Sequence, residues 1–185
     1  MAHMVCPWWL GYLLAGPWRR YSQDPVAILS PYVREGMTVF EPGPGMGFFT
    51  IDLARMVGSA GRVIVVDIQP RMLSSLKRRL AKRGLLDRVD IRLAPPESLG
   101  VDDLAGTVDF VLAFAMVHEM PDGACFFREA AATLRPGGSV LLAEPRGHVK
   151  QAAFEKQLEI ASAAGLDIAD RPTVPRSHAA LLVRR

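Results

Sequence analysis

The sequence predicts an α/β fold, and three observations support this prediction. From Met37 onward, short runs rich in β-branched and apolar residues alternate with segments of helical period, which is the pattern of parallel βαβ units. A glycine-rich turn follows the first of these runs. The last two predicted strands are joined by too few residues for a helical crossover, which favours an antiparallel pair at the end of the chain.

Each predicted element follows from a local pattern. The predicted strands are 38–40, 62–66, 89–93, 109–114, 139–143, 166–169 and 179–184, and the predicted helices run from about 47 to 58, 70 to 84, 121 to 134 and 149 to 163. Gly58 and Gly84 end two of the helices, and the continuous apolar run 109–114 indicates a central strand. The helix from Pro121 places Phe126, Ala130 and Leu134 on its apolar side, before a turn at 136–138.

Length and charge limit the domain organisation and the partners. A chain of 185 residues, half of them hydrophobic, suits one globular domain with a short extension. The net charge is +3, although six basic residues and no acid lie in 71–83, so the rest of the chain is slightly acidic. We interpret this segment as the solvated face of a helix, with phosphate binding as the alternative.

Cysteine usage and hydropathy point to a cytoplasmic protein without a membrane span. Cys6 and Cys125 lie far apart and outside any metal-ligand spacing, so neither a disulfide framework nor a zinc site is predicted. The longest apolar stretches are too short, or too interrupted by Gly and Pro, for the about 20 residues that cross a bilayer. We find no basic segment of the kind that begins a secretory signal, and we expect no resident metal.

The most informative residues are four that follow the first strand directly, Glu41, Gly43, Gly45 and Gly47. Glycines at a turn that opens a helix let the backbone approach a ligand closely, as in nucleotide sites of open α/β sheets. Asp67 ends the second strand 20 residues after Gly47, where its carboxylate can accept the hydroxyls of a ribose. A purely structural role of the glycines is the alternative.

These residues form part of a larger resemblance. The GxGxG loop with the preceding Glu41 resembles motif I of class I S-adenosylmethionine-dependent methyltransferases, 63–68 resembles their motif II, and 109–114 followed by His118 resembles motif IV. The turn at 134–138 is similar to the one before the family's fifth strand. The resemblance covers 34–185 and implies a Rossmann-like methyltransferase fold, a seven-stranded, mostly parallel sheet with a C-terminal antiparallel hairpin, and S-adenosylmethionine as cofactor.

The resemblance also implies cofactor-binding residues. They are Glu41, Gly43, Gly45, Gly47, Asp67, Ile68, Pro95, Glu97 and Phe114. In the family, the acid at the position of Glu41 orients nearby backbone and the cofactor ammonium. The family often places an acid after the third strand to bind adenine, whereas this chain has Pro95 there, so backbone groups or Glu97 are implied instead.

Candidate residues for the acceptor side follow the later strands. His118 lies just beyond the fourth strand and is a candidate general base, with local hydrogen bonding in a loop as the alternative. Arg146 suits an anionic acceptor, unless it is an inert loop residue. The aromatic-rich extension 4–33 includes Trp8, Trp9 and Tyr12, which either cover the acceptor pocket as a lid or pack on the flank of the domain 34–185.

The acceptor class is narrowed by exclusion. The [DN]PP[YF] sequence of amino-group nucleic-acid methyltransferases is replaced here by 113–116, which disfavours base methylation. Glu144 is available as a metal ligand, but no second acid except Glu119 follows Phe114 closely. We therefore expect methyl transfer to a small molecule, with a protein or RNA acceptor as the lesser option.

Two other functions compete with methyl transfer: a catalytically silent cofactor-binding module and a nicotinamide oxidoreductase. Two features disfavour the oxidoreductase, namely Phe48 at the last expected glycine of GxGxxG and the terminal hairpin.

Overall fold

A computed structural model describes residues 16–95 and 97–185, which form two compact units divided between these two ranges. Seven strands of a mixed sheet are distributed over the two units. None of the helices among the described residues has the length and apolar character needed to cross a bilayer.

The first unit contains three parallel strands in the order β3-β2-β1. They are β1 (Thr38–Pro42), β2 (Arg62–Asp67) and β3 (Val89–Leu93). Its α-helices are α1 (Pro25–Leu29), α2 (Thr50–Met56) and α3 (Pro70–Ala81), and short 3-10 helices span Pro17–Tyr21 and Leu86–Arg88. After their first residues β1 and β2 are buried without alternation, which explains their continuous apolar sequence.

The second unit contains four strands in the order β4-β5-β7-β6. They are β4 (Val108–Phe114), β5 (Leu134–Pro145), β6 (Leu166–Asp170) and β7 (Ser177–Arg184). Its helices are α4 (Gly123–Thr133) and α5 (Gln151–Ala163), with 3-10 helices at Asp102–Leu104 and Val117–Glu119. β4 and β5 are parallel, whereas β7 is antiparallel to both β5 and β6, which confirms the predicted C-terminal hairpin.

Each unit buries apolar side chains where the helical and strand patterns predict them. The helix α3 turns Leu73, Leu76 and Leu80 inward, and all three are buried. In the second unit, the aromatic side chains of Phe110, Phe126, Phe127 and Phe154 are almost completely buried. Asp122 caps α4 by accepting hydrogen bonds from the backbone N–H groups of the first turn, at the predicted start of that helix.

Three predicted boundaries are wrong. Leu134 does not lie on the helix but is the first residue of β5. Residues 135–138 of β5 lie opposite the single residue 109 of β4, so the predicted Pro-Gly-Gly turn is a bulge within the strand. The helix α2 begins at Thr50 rather than at Gly47, because Gly47 has a φ of +79° and is not helical. The helix α5 begins at Gln151 rather than at 149.

Candidate functional site

The loop after β1 adopts a conformation that requires glycine. Gly43, Gly45 and Gly47 have φ angles of +66°, +54° and +79°. Side chains are strained in this left-handed region, whereas glycine enters it freely. The backbone N–H of Gly43 donates to the carbonyl of Val66 at 2.8 Å, which ties the loop to the end of β2. A Cβ atom built on Gly45 meets no other atom within 4 Å, so there is open space beside the loop.

Asp67 lies against this loop, as its spacing from the glycines predicts. Its Oδ2 accepts a hydrogen bond from the N–H of Gly45 at 3.3 Å, and its Oδ1 accepts one from the N–H of Gln69 at 2.8 Å. The residue is only 8% exposed, whereas the neighbouring Ile68 is 51% exposed. The structure therefore brings the glycine loop and the acid together within one unit. Ribose binding by this carboxylate stays a prediction.

Glu41 is buried beneath the loop and bonded to a residue that sequence reasoning missed. The hydroxyl of Thr50 donates to its Oε2 at 2.6 Å. Burial raises the pKa of Glu41 to about 7, and the charge of Asp67 contributes in the same direction, while the Thr50 hydrogen bond opposes the rise. The carboxyl thus links the end of β1 to the first turn of α2. A threonine in the first helical turn after the loop was the available sequence signal.

Arg79 departs from the predicted solvated face of α3. It is half-buried, and its Nη1 donates to the carbonyl of Met46 within the glycine loop. Burial lowers the pKa of this guanidinium. The other basic residues of the segment are exposed, as predicted: Arg71, Lys77, Arg78, Lys82 and Arg83. One residue of the basic segment therefore supports the loop, which its sequence position on a charged helix did not reveal.

The described part of the extension packs beside the glycine loop. Arg20 Nη1 lies 2.7 Å from Oδ2 of Asp52, a buried carboxylate on α2 that also bonds Arg55. The guanidinium of Arg19 lies 4.4 Å from the ring centroid of Phe48, the residue that follows the last loop glycine. Trp8, Trp9 and Tyr12 lie outside the described residues.

His118 and Glu144 form a second cluster, in the unit 97–185. The strand β4 ends at Phe114, and Ala115 then takes a φ of +55° before the 3-10 helix that carries His118. Glu144, near the end of β5, is fully buried; its Oε1 accepts from the N–H of Val117 at 2.9 Å, and its Oε2 lies 2.5 Å from His118 Nδ1. This hydrogen bond raises the pKa of His118, and burial opposes it. The sequence suggested Glu144 only as a metal ligand and missed this partnership.

The remaining predicted residues lie at the surface or near it. Pro95 and Glu97 are exposed, and Phe114 is half-buried. Arg146 is exposed and donates from Nε to the carbonyl of Ser177 at 3.1 Å, so its side chain is anchored to β7. Within residues 16–95 and 97–185, no three His, Cys, Asp or Glu side chains are grouped so that they could hold a metal ion.

Comparison with known proteins gives matches over the same region. A family model described as a methyltransferase domain matches residues 40–142. The chain is 32% identical over 127 residues to the ubiquinone/menaquinone biosynthesis C-methyltransferase UbiE of Idiomarina loihiensis, covering 69% of this chain and 48% of that protein. It is 33% identical over 125 residues to the ubiquinone biosynthesis O-methyltransferase of Methylocella silvestris, covering 68% of this chain and 46% of that protein. The chain thus spans about half the length of these curated relatives.

Solved structures share the fold. The structure of a SAM-dependent methyltransferase from Aquifex aeolicus superposes with a TM-score of 0.86 at 22% identity, covering 98% of this chain and 100% of that chain. The predicted α/β methyltransferase fold is therefore confirmed. Because the methyltransferase-domain model matches more than half of the chain and includes the glycine loop, Asp67 and His118, the chain belongs to this methyltransferase-domain family.

Proposed function

We propose that the protein is an S-adenosylmethionine-dependent methyltransferase that acts on a small molecule. The observation that carries the proposal is the glycine loop, held in left-handed conformation with its Gly45 N–H on the carboxylate of Asp67. Membership of the methyltransferase-domain family and two relatives named as C- and O-methyltransferases of quinone biosynthesis support it.

The residues of the first unit fit the proposed cofactor. The open space beside Gly45 leaves room for a ligand next to Asp67, whose carboxylate would accept the ribose hydroxyls. Glu41 would face the cofactor ammonium, and Ile68 and Pro95 of the same unit would also contact the cofactor. Glu97 and Phe114, in the second unit, stay predicted cofactor-binding residues. Phe48 at the last glycine of GxGxxG argues against a dinucleotide, and the named relatives do not favour an oxidoreductase.

The chemistry requires alignment more than covalent catalysis. The bound cofactor supplies an activated methyl group on a sulfonium, whose leaving group is a neutral thioether. Positioning and exclusion of water can therefore supply much of the rate. We assign His118 as the general base when the acceptor atom carries a proton, and Arg146 as a cation for an anionic acceptor. The extension 4–33 would cover the acceptor as a lid, and we place the protein in the cytoplasm.

A screen with methyl-labelled S-adenosylmethionine tests the proposal. The protein is incubated with the labelled cofactor and a panel of small hydroxyl, thiol and amine acceptors, and we expect label in one class of small molecule. At limiting cofactor concentration Asp67→Ala should reduce transfer about tenfold or more. Asp87→Ala, which changes an exposed acid of the same unit, should leave transfer unchanged. Binding of S-adenosylmethionine without transfer to any acceptor would favour the silent cofactor-binding module instead.

A further inference from the structure

The environment of Glu144 is unusual for a carboxylate. Its side chain has 0% exposure, and its Oε1 accepts two backbone hydrogen bonds, from Val117 at 2.9 Å and from His118 at 3.3 Å. Buried polar groups are normally hydrogen-bonded, and the two N–H donors identify this side chain as an acceptor at its buried position. Its second oxygen, 2.5 Å from Nδ1 of His118, is then an acceptor and needs a proton on that nitrogen.

The opposite edge of the imidazole has a different environment. Nε2 of His118 lies 4.0 Å from Oε1 of Glu119, beyond hydrogen-bond distance, and the His118 side chain is 22% exposed. The ring of His148, in the loop after β5, lies with its centroid 5.7 Å away. Among residues 16–95 and 97–185, the titratable groups in contact with the His118 ring are thus Glu144, Glu119 and His148. Glu144 thus holds Nδ1, and Nε2 lies on the other edge of this partly exposed ring.

We infer that Glu144 is a positioning residue that keeps Nδ1 of His118 protonated, so that Nε2 accepts a proton from an acceptor hydroxyl. This inference rests on the proposed function and adds one property of the acceptor, a hydroxyl group that still carries its proton at neutral pH. The hydroxyl oxygen bonds to the methyl carbon as the carbon–sulfur bond breaks, with its electron pair remaining on sulfur. The hydroxyl proton passes to Nε2, and the imidazolium later returns it to water. Two acids beside the ring stabilise the imidazolium formed in this step.

The hydrogen bond should also set the pH range of the base. Because the contact with Glu144 raises the pKa of His118, the turnover number should rise with pH through an inflection above the ordinary imidazole range. In Glu144→Gln the raising contact is lost, so the NMR titration of the His118 ring should move to lower pH, and turnover should fall. The glutamine amide would also donate a hydrogen bond to Nδ1. The neutral ring would then carry its proton on Nε2, so Nε2 could no longer act as the base. A carboxylate with a merely structural role would change stability without moving this titration.

A measurement on the protein without any acceptor tests the tautomer. Two-bond proton–nitrogen NMR spectra of the nitrogen-15-labelled chain should show His118 protonated on Nδ1 above its pKa, and Glu144→Gln should convert it to the Nε2-protonated form. His148→Asn is the matched control, because it changes the neighbouring exposed ring and should leave the His118 signals in place. An Nε2-protonated ring in the unaltered protein, or the same tautomer in Glu144→Gln, would overturn the inference.

Turnover tests the role of the base and does not depend on Glu144→Gln folding. His118→Asn retains a donor toward Glu144 and removes the accepting nitrogen; we expect the kcat on the acceptor found by the labelled screen to fall about 100-fold. The KM for S-adenosylmethionine should change less than threefold. Unchanged kcat, or label on an acceptor atom other than oxygen, would overturn the inference. Failure to bind S-adenosylmethionine would instead refute the proposed function, whereas the NMR spectra would still determine the tautomer of His118.

Discussion

At the scale of single residues, Asp67 combines observed contacts within the loop with a proposed role in ribose binding. It accepts hydrogen bonds from Gly45 and Gln69, which organise the turn, and its burial leaves it 8% exposed. Each carboxylate oxygen has more than one lone pair, so a ribose hydroxyl can bind while these backbone contacts persist. The same side chain can therefore shape the loop and hold a ligand.

Asp67→Ala should weaken S-adenosylmethionine binding at least tenfold. The substitution removes charge-assisted hydrogen bonds worth about 1.5 to 3 kcal/mol each. Isothermal titration calorimetry of the variant measures the loss, and a circular dichroism melt checks that it is folded. Unchanged affinity in a folded variant would show that Asp67 does not bind the ribose.

Glu41 should make stability depend on pH. Its pKa rises from 4.5 to about 7 on folding, so its contribution to stability is present below 4.5 and is lost as pH rises through 7. Glu41→Gln cannot ionise and avoids this loss. Relative to the unaltered protein, its free energy of unfolding should therefore increase by roughly 2 to 3 kcal/mol between pH 5 and pH 8.

Urea unfolding of both proteins at the two pH values measures this difference. Every other titrating group, His118 included, is present in both chains and cancels in the comparison. A difference between the two proteins that stays constant with pH would mean that Glu41 is ionised normally in the folded state.

At the scale of elements, the connection between α2 and β2 requires a residue without a side chain. A Cβ built on Gly61 would lie 2.6 Å from the carbonyl oxygen of Val57 and 2.7 Å from that of Met37. Both are backbone atoms, which cannot move aside without disturbing α2 or the approach to β1. The glycine is therefore required by packing rather than by its φ angle.

Gly61→Ala should lower the free energy of unfolding by about 2 to 3 kcal/mol, because the added methyl group overpacks the connection. Gly147→Ala is a suitable control, since a Cβ there meets nothing within 4 Å. Urea unfolding compares the two variants. Equal stabilities would indicate that the backbone at Gly61 adjusts freely.

The extension can be separated from the domain by truncation. A chain that begins at Ser22 retains the glycine loop, and Asp52 keeps its contact with Arg55 at 3.2 Å, so we expect S-adenosylmethionine binding within a few fold of normal. Methyl transfer should fall at least tenfold if the extension covers the acceptor. Arg20→Gln in the full chain removes the Arg20 contacts with Asp52 and Asp24 but keeps the extension, and it serves as the control.

Two results would contradict the lid. Full turnover of the truncated chain would show that the extension does not cover the acceptor. Loss of the folded state would show that the segment is part of the core. The contact of Arg19 with Phe48 would then be one of the contacts that stabilise the fold.

At the scale of the whole molecule, the sequence predicts the seven strands, the C-terminal hairpin and the adjacency of Asp67 to the glycine loop. These features depend on hydrophobic period, glycine placement and the spacing of βα units, all of which are local in the chain. The bulge in β5 escaped prediction, because Pro136, Gly137 and Gly138 are equally compatible with a turn between elements.

Side-chain partners were the least predictable feature. Glu144 and His118 are 26 residues apart, and Arg79 and Met46 are 33 apart. Which side chains meet across such distances depends on strand register and rotamers rather than on local pattern. The candidate residues could be named from motifs, but the hydrogen bonds that determine their protonation required the structure.

One calorimetric comparison tests whether this chain binds S-adenosylmethionine as its cofactor. The purified chain is titrated with S-adenosylmethionine, S-adenosylhomocysteine and NAD under identical conditions. We expect saturable binding of the first two ligands and none of NAD, because the loop is GxGxG with Phe48 where a dinucleotide loop has glycine. Binding of NAD without binding of S-adenosylmethionine would contradict this expectation.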